Sequence, residues 1–298
     1  MRNRIMNYGA LYVLLSLLLV MPVEGSCQQR FRVGVCDWMI LKRQKLGEFA
    51  LAREVGADGV EVDMGPLGKR PMFDNRFRNL ADANLFRRTA DSLGISVPSI
   101  AMSGFFAQDF ISHYNYRELV QDCLNTMEVF DARVAFLPLG GCGNSWLMPG
   151  VRRDELVSRL HEAGEMARQA GVVIGIRTGQ DARATIRLLK EVDSEGIKVY
   201  YNMQDAVDEG RDVCKELKRL GRKRICQIHA SLTDSVTLDK DPRIDMRAVR
   251  KTLDRMKWSG WLVVERSRDV MRVRDVGYNY AVNVGYLHEV FGLRPSKK

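Results

Sequence analysis

Four polar side chains close short apolar runs of the sequence and carry groups able to move protons or hold a hard cation: Glu61, Asn202, His229 and Glu265. Imidazole nitrogen, carboxylate and amide oxygen together suit Mn²⁺, Mg²⁺ or Zn²⁺. An ion so held could fix vicinal oxygens of a sugar while a carboxylate moves a proton beside a carbonyl. The plainer alternative is a satisfied core histidine, with Glu265 paired to a nearby arginine. Arg177 closes another run, and a guanidinium offers donors only, so it can be neither ligand nor proton-abstracting base. It could pair with Glu265 or face an anionic substrate. Trp38, Phe105, Phe106 and Trp146 follow apolar runs and could stack on a sugar face or anchor loops. The glycine-rich stretch at 139–144 could supply backbone donors, or merely turn the chain.

The elements that must position these groups alternate along the chain. Strand-like runs lie at 31–36, 59–63, 95–101, 133–138, 172–176, 198–202, 224–229 and 261–265. Amphipathic runs separate them, clearest in YRELVQDCLNTMEVF, RDELVSRLHEAGEMARQAG and RDVCKELKRLG. Gly56, Gly94, Gly171 and Gly221 stand where helices should stop. Strands apolar on both faces, joined through helices, imply a parallel sheet. Eight such units over about 260 residues predict a closed (β/α)₈ barrel, whose active groups belong at the C-terminal ends of the strands. An open doubly wound sheet would show a glycine-rich turn after its first strand, and Cys36-Asp37-Trp38 is none. One domain over 30–293 is expected.

The first residues differ in kind. Arg2 and Arg4 precede an apolar run at 10–21, broken by Pro22 and followed by Gly25 and Ser26. That layout predicts a signal peptide over 1–26, the run being short for a membrane span of about 20 residues. Export to the periplasm, or anchoring through a lipidated Cys27, is the expected localisation. The other five cysteines have no CxxC spacing and predict isolated thiols. The net charge of +9 is spread among acids and joined to no recognisable nucleic-acid module, so no nucleic-acid partner is expected.

The stretches VGADGVEVDMG, VVIGIRTGQD, KVYYNMQDAVDEGRD, RICQIHASLTD and WSGWLVVERSRD resemble, in order and spacing, the sugar phosphate isomerase/epimerase family of xylose isomerase-like barrels. The similarity covers nearly all of the chain after residue 30. It implies a divalent ion held by Glu, Asp, His and Glu at the ends of the fifth to eighth strands, the two glutamates serving as paired acid/base groups. By position the His is His229 and the last Glu is Glu265, but the first Glu falls on Arg177 and the Asp on Asn202. The metal (Mn, Mg or Zn, through His229, Glu265 and Asn202) is therefore expected to be weakly bound or absent. Expected catalytic groups are Glu265, His229 and Glu61; Arg177, Asn202, Trp38, Phe105 and Trp146 are expected to bind substrate. The implied function is an isomerase or epimerase for a carbohydrate or sugar acid, with homo-oligomers an open matter. A catalytically impaired carbohydrate-binding protein, or a lyase or hydrolase on oxidised sugars, is the alternative.

Overall fold

Eight strands pair in sequence order, and the last closes on the first. The computed structural model describes residues 30–292; the expected signal peptide, Cys27 and Leu293 lie outside them. The strands are β1 (Phe31–Cys36), β2 (Gly59–Asp63), β3 (Ser99–Ala101), β4 (Val134–Pro138), β5 (Val173–Arg177), β6 (Ile197–Asn202), β7 (Ile225–His229) and β8 (Gly260–Val264). All are parallel, and β1 meets β8 with Phe31 opposite Gly260. The third strand is shorter than the predicted 95–101. Pro98 has no N–H for a ladder, and only a lone bridge from Gly59 to Ser96 survives ahead of it.

Helices α1 (Gly47–Glu54), α2 (Leu80–Leu93), α3 (Tyr116–Phe130), α4 (Val151–Gln169), α5 (Ala182–Val192), α6 (Met203–Asp208), α7 (Val213–Leu220), α8 (Met246–Arg255) and α9 (Val276–Phe291) surround the barrel. Side-chain caps start several of them: Asn79 for α2, Asp181 for α5, Asp212 for α7 and Asp245 for α8. Gly94 ends α2 at φ 67°, a left-handed conformation that a Cβ disfavours. The main core lies between strands and helices, where Phe31, Val33, Phe49, Phe86, Ile174, Leu188 and Leu262 are buried.

Inside the barrel the packing is unusual. Only a small apolar cluster, Ala101, Val134, Phe136 and Tyr200, sits there, and polar groups fill the rest. Gly175 makes this possible. A Cβ at Gly175 would stand 2.6 Å from Cys226 Sγ and 2.9 Å from Tyr200 Cβ, so glycine lets the tyrosine enter the axis. Between Val199 and Tyr200 the β6–β7 register slips by one residue, which sets Gln227 rather than Cys226 opposite Tyr200.

Candidate functional site

Three strands end on the expected groups. Arg177, Asn202 and His229 are the last residues of β5, β6 and β7, and Glu265 directly follows β8. The topology therefore delivers all four to one rim, where they are in contact. Glu265 Oε2 accepts from Arg177 Nη1 at 3.3 Å and from Asn202 Nδ2 at 3.1 Å, and lies 3.6 Å from His229 Nδ1. Among the described residues no donor engages Glu265 Oε1. Asn202 also caps α6, its Oδ1 accepting the Gln204 N–H at 2.9 Å, so its amide nitrogen is what faces Glu265. The Arg177 guanidinium is gripped from its other side by Asp205, which accepts from Nε at 3.0 Å and Nη2 at 2.6 Å. The Phe106 ring lies 5.3 Å from its centre. Burial pulls the Arg177 pKa down, but the Glu265 and Asp205 carboxylates outweigh it and raise the pKa. The charge is permanent.

Beneath this rim runs a second polar layer. Glu61 Oε1 accepts from His229 Nε2 at 2.8 Å and from the Cys36 thiol at 3.5 Å; its Oε2 accepts from Ser99 Oγ and Tyr200 OH, both at 2.6 Å. Gln227 Nε2 donates in turn to Ser99 Oγ and Tyr200 OH, both at 2.8 Å. Burial pushes the Glu61 pKa up, but its interaction with His229, with hydrogen bonds from Ser99 and Tyr200, brings it below the ordinary value. Burial first, then Glu61, drives the Cys36 thiol and the Tyr200 phenol well above theirs, so both stay protonated donors. With Nε2–H given to Glu61, His229 Nδ1 is the acceptor facing Asn202 Nδ2 at 3.4 Å. Its ring is packed 4.9 Å from Phe136 and 4.4 Å from Tyr200. Glu61 thus meets His229 from below, with both oxygens engaged.

A third group lies at the ends of β1 and β2. Asp37, Glu48 and Asp63 are fully buried, and Arg43 Nε stands 3.2 Å from Asp63. Burial, then Asp63, raises the Asp37 pKa to about 8. Burial, then Asp37, takes Glu48 well above its ordinary value. Asp37 Oδ1, Asp63 Oδ2 and both Glu48 oxygens lack a conventional donor, which fits carboxyls that share protons.

The aromatic expectations divide. Trp38 packs against the cluster of Phe136 and Tyr200 inside the barrel. Phe105 does not reach the rim: it is buried edge-on between Phe73 and Phe110, because the single 3₁₀ turn Ser103–Phe106 turns its neighbour Phe106 outward instead. Trp146 is buried beneath Arg153 as a loop anchor. Sequence reasoning missed Asp205, Ser99, Tyr200 and Gln227. Tyr200 stands two residues before Asn202, on the same face of a strand, and that spacing was its signal. Asp205 had a weaker one, an acid in the first helical turn after an inward polar residue.

A closed eight-stranded parallel barrel whose rim gathers these residues defines the class. A family model described as "Xylose isomerase-like TIM barrel" matches residues 49–284, and the chain belongs to that family. Solved structures agree on the fold. L-ribulose 3-epimerase aligns with TM-score 0.67 at 14% identity, covering 87% of this chain and 94% of its own. The D-psicose 3-epimerase of Clostridium cellulolyticum H10, solved with D-tagatose, gives 0.69 at 13%, covering 88% and 100%. A 3-keto-D-glucoside 4-epimerase from E. coli gives 0.67 at 13%, covering 87% and 99%. No curated protein sequence matches the chain.

Proposed function

We propose that this chain is an isomerase/epimerase-type protein acting on a carbohydrate or sugar acid at the C-terminal mouth of the barrel, with a guanidinium in the place of the divalent ion. The supporting observation is Arg177, held by Asp205 and set 3.3 Å from Glu265. The donor set here does not fit the ion that the family resemblance implies. One ligand position carries a permanent cation, and another presents an amide nitrogen because its oxygen caps α6. Only His229 Nδ1 and Glu265 keep ligand atoms, too few to hold a divalent ion beside a positive charge.

The chemistry then falls to the chain's own residues. Glu265, through the oxygen its neighbours leave free, takes the proton from a carbon beside a carbonyl. The electron pair moves to the carbonyl oxygen, and the enediolate charge is met by Arg177 and Asn202. Returning that proton to the neighbouring carbon, while the hydroxyl proton passes to the former carbonyl oxygen and the new carbonyl forms, completes a one-base isomerisation. Inverting a centre needs a second acid on the opposite face, the role Arg177 cannot play. His229 Nδ1 accepts from a substrate hydroxyl, and Glu61 is a positioning residue acting through it. From the apolar run at residues 10–21 we also infer export, to the periplasm or to a membrane anchored through Cys27.

One observation favours a second role, carbohydrate binding without turnover. Asp205 and Glu265 engage Nε, Nη1 and Nη2 of Arg177, leaving little of its fork for substrate. A lyase or hydrolase on oxidised sugars would use the same mouth. Aldoses, ketoses and sugar acids incubated in D₂O and followed by proton NMR separate these roles. We expect chelator-insensitive deuterium incorporation beside the carbonyl, reduced at least about 100-fold in Glu265→Gln. Turnover that appears only with added Mn²⁺ or Zn²⁺ refutes the metal-free site; calorimetric binding without exchange makes the protein a binder. Gain of one ion per chain and of activity by Arg177→Glu would mark the natural chain as a decayed enzyme.

A further inference from the structure

We infer that the N-terminal face of the barrel docks on an anionic lipid bilayer. All eight strands are parallel, so their first residues and the C-termini of the outer helices share the face opposite the site. Here α7 runs into β7 through residues 218–224, KRLGRKR, five basic residues in seven with no acid. Lys218, Arg219, Arg222, Lys223 and Arg224 are all exposed. Asp212 and Glu216 belong to the first turn of α7, and the acid beside the patch, Glu195, stands 2.7 Å from Lys198.

The centre of the same face is open. A cavity of about 600 Å³ enters between the strand starts, with Arg32 and Trp261 in its walls beside the pairs Arg87–Asp91 and Arg133–Asp131. Arg32 lies 4.1 Å over the Trp261 ring and gives one N–H to Ser96 Oγ at 2.7 Å. Among the described residues it has no carboxylate within ion-pair distance. A cationic fork braced on an indole suits a phosphate headgroup at a membrane interface.

Chain order selects a bilayer over another polyanion. Cys27, the expected point of lipid attachment, is joined to β1, which starts on this face, through only three residues, 28–30, a reach of about 10 Å. The end of α9 stands here too, Phe291 against Phe31 with ring centroids 5.5 Å apart, and the sequence continues from it with Arg294, Lys297 and Lys298. One hydrophobic chain anchors a protein only marginally, and a polybasic patch is the second signal that makes attachment stable. This inference is independent of the chemistry at the opposite mouth.

The full-length protein, co-sedimented with phosphatidylcholine vesicles with and without phosphatidylglycerol, gives the test. We expect at least about tenfold stronger binding to the anionic vesicles, lost at high salt. Arg219→Glu, Arg222→Glu and Lys223→Glu combined should abolish that increment. The same charge change at Lys69, Arg183 and Lys240, exposed near the other end of the barrel, should leave it intact. Equal binding to both vesicles, or equal loss in the control variant, overturns the inference. So does duplex DNA binding that the first variant abolishes while vesicle binding persists.

Discussion

His229 has two ring nitrogens in different surroundings, and the difference decides what it can do at the rim. Nε2 gives its proton to Glu61 at 2.8 Å, and Nδ1 is left as acceptor toward Asn202, with Glu265 3.6 Å away. A carboxylate behind a histidine fixes tautomer and ring orientation together. In Glu61→Gln the amide can offer oxygen or nitrogen to the ring, so the preference weakens. The ¹⁵N spectrum of the natural protein should show one His229 tautomer, protonated at Nε2, and the variant a mixture. Leaving Ser99 and Tyr200 poorly matched should also lower stability by about 1–3 kcal/mol in urea titrations. An unchanged imidazole spectrum in the folded variant would remove the positioning role from Glu61.

At the scale of the element, strands β5, β6 and β7 build the site through one glycine and one register slip. Alanine at Gly175 would press its methyl carbon against Cys226 Sγ at 2.6 Å and Tyr200 Cβ at 2.9 Å, neither of them the end of a flexible chain. Gly175→Ala should therefore cost about 1–3 kcal/mol of unfolding free energy, measured by denaturant titration, and shift the Tyr200 hydroxyl off Glu61. Wild-type stability in that variant would mean that the axis is loosely packed. Here lies the boundary of what the sequence discloses. Arg177, Asn202, His229 and Glu265 were legible because a polar residue closing an apolar run can only sit at a strand end, and the parallel topology gathers strand ends. Ser99 and Gln227 were not. They lie within strands, where a polar residue that hydrogen-bonds across the axis looks the same as one on an exposed edge, and the slip that aims Gln227 leaves no mark in the residue pattern. Phe105 and Phe106 show the limit again, since adjacent aromatics in a single helical turn give no period to say which faces in.

For the whole molecule, the buried acids at the ends of β1 and β2 set how stability follows pH. In the folded chain burial and Asp63 hold the Asp37 pKa at about 8, against 3.8 for an ordinary aspartate, and Glu48 is displaced in the same direction. The folded state thus keeps protons that the unfolded state has already released. Stability from this source is complete below about pH 4 and drains away as the pH climbs toward 8, because unfolding then lets the carboxyls ionise in water. Asp109, Asp234 and Asp241 act oppositely. Burial raises each, but their hydrogen bonds and arginine partners outweigh it and leave the pKa lowered, so their contribution disappears on acidification. The two sets together predict a maximum on the acid side of neutrality. Asp37→Asn combined with Glu48→Gln removes the alkaline limb alone, since neither side chain can then ionise. Calorimetric melting temperatures between pH 5 and 8.5 should fall by several degrees for the natural chain, roughly 2–4 °C for each kcal/mol lost at this size. The double variant should stay nearly level over that range. If its curve runs parallel to that of the natural chain, Asp37 and Glu48 are ionised in the fold, and the protons assigned to this corner of the barrel are not there.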